Sequence, residues 1–363
     1  MGSRPRVLLI GPELILGWTE STARALEDLE CTVATIYYNR SKMRRRIGGV
    51  RRFFDKRFGW RMPEAPHWLQ EKYLLWSNRR KAQATIRTAR AFRPDLVLIL
   101  KGESLTASTI QELKHATGAL LSVWWVDHPL MNAESGHRWR EVPECIPLFD
   151  ACFVFDHSYE PLLREAGART VRFLPCAADV GIFKPQSLTA TEQETYGATV
   201  SLVGVYTEGR GGIVAPLAKE SGLGIWGPGW KGFFAEHLNG GILPLRGEAL
   251  FPHEACKVYN ASLVNLNMHH SQTRRAGLNT RAFEILAAGA FELTDYVPEM
   301  ESLLEPGRDA AVYRSPEEAV ELARYYVRAA NERRRIAEAG YRRVLAEHTY
   351  RHRMQTLLAA LAV

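Results

Sequence analysis

The stretch Ala276-Gly-Leu-Asn-Thr-Arg-Ala-Phe-Glu-Ile-Leu-Ala-Ala-Gly289, continued by Ala290-Phe-Glu-Leu-Thr-Asp295, reads as one repeat of an α/β protein. A glycine turn leads into Asn279, whose short amide side chain suits a helix cap. Small and apolar residues carry the helix to Gly289, and an apolar strand follows to Asp295. The first N–H groups of such a helix have no partner within it, and the peptide dipoles add there. Leu278, Asn279 and Thr280 therefore form a seat for a diphosphate. Glu284 lies about one turn further in, within reach of a ribose diol. Capped helices and helical glutamates are common, so this stretch has to be weighed with the rest of the chain.

Outward from it, short apolar runs alternate with helical patterns, as in parallel α/β layers. In the second half, strands are expected at 199–204, 224–226, 242–245, 263–267, 291–294 and 310–313, with two long Arg/Glu/Ala helices from about 316 and 332. In the first half, strands are expected at 6–11, 32–38, 95–101, 119–126, 151–155 and 170–174, with helices at 20–29 and 67–92. The alternation lapses after Cys176, where Pro175, Pro185 and the polar run 186–195 read as a linker. The expected division is an N-terminal Rossmann-like domain at 1–180 and a linker at 181–198. A second Rossmann-like domain follows at 199–345, and a final helix at 346–363 crosses back to the first.

The 363 residues suit two cores of ordinary size, and 46% apolar with 24% charged residues describes a globular chain. No run approaches the roughly 18 apolar residues of a spanning helix. Five scattered cysteines without a C-x-x-C pair argue for a reducing compartment, and the expected location is cytoplasmic. The net charge of +7 is confined to the first half: 1–185 carry 28 Lys and Arg against 20 Asp and Glu, and the remainder carries 19 against 20. Ten of these cations fall in 40–61 beside the single acid Asp55, with Met43, Ile47, Val50, Phe54 and Phe58 at helical spacing. That segment reads either as a helix packed on its own domain or as a peripheral contact with the inner face of a membrane. It carries no nucleic-acid motif, so no nucleic-acid partner is expected.

Ligands of open parallel sheets bind beyond the carboxyl ends of the strands, which selects the candidate residues. Gly204 ends one strand, Tyr206 follows, and Arg210 offers a planar fork that grips two oxygens of a pyrophosphate. Trp226 and Trp230 are each a base-stacking surface or domain core. Arg246 and Gly247 follow the next strand, and Asn267, His269 and His270 the one after. Paired histidines without a third ligand at sensible spacing give no metal site. In the first half, Lys101 and Glu103 stand at one strand end, and Asp127 and His128 at the next. An acid or imidazole there takes a proton from an acceptor hydroxyl. Gly11, Glu13, Gly17 and Trp18 form the first-strand loop on the acceptor side. That loop lacks G-x-G-x-x-G, which argues against a nicotinamide enzyme.

Asn279, Arg281, Phe283, Glu284, Gly289, Asp295 and Pro306-Gly307, together with His348-Thr-Tyr-Arg-His352, resemble the CgeB (spore maturation-like) branch of the GT-B glycosyltransferases. The resemblance covers the second half well and the first half loosely. It implies the GT-B fold, two Rossmann-like domains facing each other across a cleft. It further implies a metal-independent transfer from a nucleoside-diphosphate sugar, with a UDP-sugar favoured as co-substrate and no cofactor. By the same resemblance Glu284 holds the ribose, and Arg210 and the helix start hold the phosphates. The loops at Trp226, Arg246 and Gly247 surround the base, and Asp127, His128 and Lys101 lie near the reacting carbon. The acceptor is expected to be anionic or lipid-linked. Many retaining members carry a second glutamate eight positions before the ribose glutamate, where this chain has Ala276, so inversion and retention both stay open. A nucleotide-sugar epimerase of the same fold and a non-catalytic nucleotide-sugar or glycan-binding module are the alternatives.

Overall fold

The computed structural model describes residues 4–13, 17–38, 67–102, 105–130, 142–219, 222–237, 244–269 and 276–363, with the backbone alone for 67–78. The basic segment 40–61, Glu103, His270 and the chain just before Ala276 lie outside the described residues.

Two parallel six-stranded sheets organise the chain. The first holds β1 (Arg6–Gly11), β2 (Thr32–Tyr37), β3 (Leu96–Leu100), β4 (Leu120–Trp125), β5 (Ala151–Val154) and β6 (Val171–Phe173), in the order β2-β1-β3-β4-β5-β6. The second holds β7 (Val200–Val203), β8 (Leu223–Trp226), β9 (Leu245–Gly247), β10 (Val264–Asn267), β11 (Glu292–Asp295) and β12 (Ala311–Tyr313), in the order β12-β11-β10-β7-β8-β9. Helical crossovers bury both faces of a parallel sheet, which is why β3 reads Leu-Val-Leu-Ile-Leu and is buried at every position. The pleat sorts neighbours to opposite layers. Leu8, Ile10 and Trp125 join one apolar cluster, while Val7, Leu9 and Trp124 join the other.

The linker expectation needs correction. Within 186–195 begins a helix, Ala190–Tyr196, started by a reciprocal cap: Glu192 N donates to Thr189 Oγ1 at 3.2 Å and Thr189 N to Glu192 Oε2 at 2.9 Å. Its polarity hid a Thr-x-x-Glu signature that satisfies two backbone donors at once. The expected strand at 242–245 is also displaced. β9 begins at Leu245, so Arg246 and Gly247 belong to the edge strand itself, and not to a loop after it. Pairing fixes this register, since Ile225 aligns with Leu245 and Trp226 with Gly247 across an irregularity.

The chain returns to its first domain at the end. Helix Tyr350–Leu361 packs on helix Trp18–Glu27, and Tyr350, Met354 and Leu357 fill the cluster of Val7, Leu9, Leu96 and Leu98. Buried Arg353 holds the junction: its Nε donates to Pro175 O and Cys176 O at 2.9 and 3.0 Å, and its Nη1 to Glu347 O at 2.9 Å. Among the described residues no helix is long and apolar enough to cross a membrane.

Candidate functional site: two crevices across the domain boundary

In the second sheet the chain builds outward from β7 through β8 to β9, then crosses back and builds the other way from β10. The loops after β7 and β10 therefore part over a crevice, the position where such sheets bind ligands. On its floor stands helix Thr280–Ala287. Asn279 caps it, accepting from Ala282 N at 3.0 Å. Asn267, the last residue of β10, holds the cap by paired amide bonds: Asn267 Nδ2 donates to Asn279 Oδ1 at 3.1 Å, and Asn279 Nδ2 to Asn267 Oδ1 at 3.0 Å. Asn267 Nδ2 also donates to buried Glu292 Oε1 at 2.7 Å, and Arg281 Nη1 to Asn267 Oδ1 at 3.1 Å. The helix start is thus set by side chains from two strands. Glu284, one turn in, is half-buried, and burial pushes its carboxyl up to about 7 against the pull of Arg281.

Arg281 and Arg210 converge on Gly204. A β-carbon there would lie 2.8 Å from Arg210 Nη1 and 3.0 Å from Arg281 Nη2, so a side chain at this position would push on both guanidiniums. Arg210 differs from its expected form. It sits in the first turn of helix Glu208–Ala218, almost wholly buried, with Nη1 donating to Val205 O and Nη2 to Met268 O, both at 2.6 Å. Its terminal nitrogens brace the crevice walls instead of forming an open fork. Burial, with Arg281 beside it, lowers its pKa to about 10, which still leaves it charged at neutral pH. A cavity of about 250 Å³ lies alongside, lined by Arg210, Thr207, Met268, His269 and Tyr313 among others. His269 is fully enclosed. Its N and Nδ1 lie 2.9 and 2.7 Å from Asp295 Oδ1. Burial acts to raise Asp295, but the His269 contacts outweigh it and hold that carboxyl below its ordinary value.

Other expected donor residues fall elsewhere. Leu278 is core, and its side chain contributes to the apolar cluster under the helix. Tyr206 packs its ring on Trp230 and Phe233, at 5.2 and 5.1 Å between centroids. Trp226, open between base platform and core in the sequence, is buried, and its ring lies over Gly224 and Gly247, where a β-carbon would stand 3.0–3.1 Å away. Trp230 is likewise buried, its Nε1 donating to Gly204 O at 2.8 Å. Arg246 is exposed on the edge strand, two strands from β7.

The first sheet has its own crevice, where building directions part between β1 and β3. Gly11 ends β1, half-buried Glu13 follows, and Gly17, at φ 69°, starts helix Trp18–Glu27. Across from them Lys101 ends β3 in a left-handed conformation, φ 62°, that a lysine adopts at a cost of about 1–2 kcal/mol. β4 holds it there: Lys101 N donates to Trp124 O at 3.1 Å, and Trp125 Nε1 to Lys101 O at 2.8 Å. The turn aims Nζ over the Trp18 ring, 4.9 Å from its centroid, and into an ion pair with Asp127. Asp127 Oδ1 and Trp18 Nε1 are buried without a hydrogen-bond partner among the described residues. His128 Nδ1 accepts from Leu130 N at 3.1 Å, and its ring stacks obliquely on Tyr159 at 4.6 Å.

The two crevices face each other because the carboxyl ends of both sheets meet. Cys176, just past β6, lies beside Thr280 at the start of helix Thr280–Ala287, and burial pushes its thiol up to about 12. Just past β5, buried Asp156 accepts from Ala276 N and Gly277 N at 3.1 and 3.0 Å. Sequence reading passed over Arg281, Asp156 and Glu299 as site residues. Arg281 stood in the quoted motif, and Asp156 obeys the strand-end rule. Among the described residues no three His, Cys, Asp or Glu side chains converge as metal ligands.

Residues 210–359 match the family model described as glycosyl transferase-like. Over 320 residues the chain is 21% identical to spore protein CgeB of Bacillus subtilis (strain 168), covering 84% of this chain and 92% of that one. In fold it is similar to sucrose-phosphate synthase from Thermosynechococcus elongatus, with TM-score 0.67, 13% identity and 99% of each chain covered. It is also similar to Anabaena HepE, solved in complex with UDP and glucose, with TM-score 0.61, 10% identity, and 99% of this chain and 100% of that one covered.

Proposed function

We propose that this CgeB-like glycosyltransferase of GT-B fold moves a sugar from a nucleoside-diphosphate sugar, UDP-linked by preference, to a hydroxyl held at the first-domain crevice. The observation that carries the reading is the pair of guanidiniums, Arg210 and Arg281, over Gly204 beside the start of helix Thr280–Ala287. Two cations packed together at a positive helix end repel one another, and a diphosphate relieves that repulsion. Half-buried Glu284 suits a ribose diol one turn further in. HepE, similar in fold, was solved with UDP and glucose, which favours the uridine nucleotide.

In the transfer the bond between the anomeric carbon and the phosphate oxygen breaks, and the acceptor oxygen bonds to that carbon. The departing diphosphate takes the electron pair, and its charge falls on Arg210, Arg281 and the helix start, a role a divalent cation fills in other transferases. The acceptor proton passes toward Asp127, whose carboxylate Lys101 orients. Activity that survives chelation is part of this proposal. Docking of 40–61 on the cytoplasmic face of an anionic membrane belongs to it too, and binding to anionic liposomes that persists after its arginines become glutamine overturns that element.

The deciding experiment measures release of free nucleoside diphosphate from UDP-, GDP-, ADP- and dTDP-sugars, in wild type and Glu284→Ala. Release from one donor that falls at least about tenfold in the variant, roughly 1.4 kcal/mol of transition-state stabilisation, supports the reading. Nucleotide binding without release from any donor points to a binding module. Conversion of the donor sugar without an acceptor product points to an epimerase.

A further inference from the structure

Ala276 stands where many retaining relatives carry a glutamate, and in this chain its backbone is engaged on both sides. Its N–H donates to Asp156 Oδ2 of the first domain at 3.1 Å, while its carbonyl accepts from Glu299 N at 3.2 Å. Glu299 in turn reaches back across the boundary, its Oε1 accepting from His157 N at 2.6 Å. His157 adjoins Asp156, so four residues close a ring of hydrogen bonds that crosses the domain boundary twice. The contact is tight. Asp156 is wholly buried, with Oδ1 accepting from Ser158 N at 2.8 Å, and Glu299 is also buried. A β-carbon on Gly277 would lie 2.9 Å from Phe155 O and from Asp156 Cβ. Three residues on from Ala276 is the cap Asn279, so whatever fixes Ala276 and Gly277 fixes the approach to the diphosphate seat.

We propose that Asp156 and Glu299 are positioning residues that clasp the two domains at Ala276 and set the diphosphate seat against the first-domain crevice. The proposal rests on the sugar-transfer reading for its kinetic consequence, but not for the clasp itself. Charge-assisted bonds from buried carboxylates to backbone N–H groups are among the stronger contacts available to a domain boundary, where interfaces otherwise tend to slide. Burial pushes the Glu299 carboxyl up to about 7 against the His157 N–H, so a neutral glutamine is a close mimic of a form present at neutral pH.

The test combines amide hydrogen exchange with donor kinetics in Asp156→Ala, Asp156→Asn, Glu299→Ala and Glu299→Gln. In Asp156→Ala, exchange at Ala276 and Gly277 should quicken at least tenfold, and Glu299→Ala should do the same at His157. Exchange in β3 should stay as in wild type. With the donor found for wild type, kcat should fall about tenfold in both alanine variants while KM for the donor stays within twofold. Asn and Gln, each keeping an acceptor oxygen, should recover most of the loss. Unchanged exchange at these amides overturns the clasp, and a rise in KM with unchanged kcat overturns its positioning role. If an alanine variant quickens exchange throughout the chain, the Asn and Gln variants decide: any quickening they show must be confined to 157 and 276–277, or the clasp is wrong. Absence of donor turnover in wild type removes the sugar-transfer reading, and the exchange result still decides the clasp.

Discussion

The two crevices occupy the same place in two similar sheets and are chemically opposite. In the first domain the charges cancel: half-buried Lys101 pairs with half-buried Asp127, and among the described residues Asp127 Oδ1 and Trp18 Nε1 lie enclosed without a hydrogen-bond partner. In the second the charges accumulate, with Arg210 and Arg281 side by side at a helix start. A neutral pair with a donor and an acceptor left over suits a hydroxyl, which offers one of each. Two neighbouring cations at a helix start suit a phosphate. One architecture therefore presents two chemically different crevices, decided by the few residues that end each strand.

The sharpest way to break this contrast is at Asp127. Replacing it by Asn removes the proton acceptor while keeping the shape, and kcat should fall about hundredfold with UDP affinity unchanged by calorimetry. A loss of UDP affinity would mean the two crevices are not chemically separate. The converse variant, Arg281→Met, should weaken UDP binding about thirtyfold, roughly 2 kcal/mol for a charge-assisted contact, read in the same titration. Unaltered affinity would take the phosphate away from the arginine pair.

Glu292 sharpens the contrast through stability. It is wholly buried in β11, and burial pushes it up to about 8, with the Asn267 amide acting in the opposite direction. Its folded pKa lies above the unfolded value, so its contribution is complete below about pH 4.5 and is lost as pH rises through about 8. Glu292→Gln keeps an acceptor for Asn267 and never ionises. Melting temperature should fall less steeply for the variant between pH 5 and 9, with a gain on the order of 2–4 kcal/mol at the upper end. Equal slopes would show that burial does not raise this carboxyl, its pKa then being the same in the folded and unfolded chain. The smallest effect is expected from Trp226→Phe: about 1–2 kcal/mol of stability from lost core packing, and no change in UDP affinity. Weaker nucleotide binding would restore Trp226 to the wall of the base pocket.

Much of the fold was legible because parallel sheets leave a plain trace: apolar runs such as 96–100, bounded by turns and spaced by helices. The capped helix at 280–287 was legible for the same local reason, since Asn279 satisfies a helix donor whatever surrounds it. The structure added most where the sequence signal was local but its meaning was not. Trp226 stands at a strand end, and only its fit over two glycines shows that it packs inward. Arg210 has the right residue type, but the carbonyls of Val205 and Met268 claim its terminal nitrogens. The helix 190–196 was hidden by polarity, because the groups that hold it, Lys257 on Glu192 and the Ala261 carbonyl accepting from Gln193, lie far along the chain.

The sequence by itself determined the alternation, the two-part division, the uneven charge and the capped helix, since each depends on neighbours within a few positions. The tertiary structure alone decided which strand ends face each other. That choice brought Arg281 to Arg210, Lys101 to Asp127, and Asp156 to Ala276 across separations of 71, 26 and 120 residues. Pairings at such distances follow from sheet order and from the burial of charged groups, which acquire partners only when the chain closes around them.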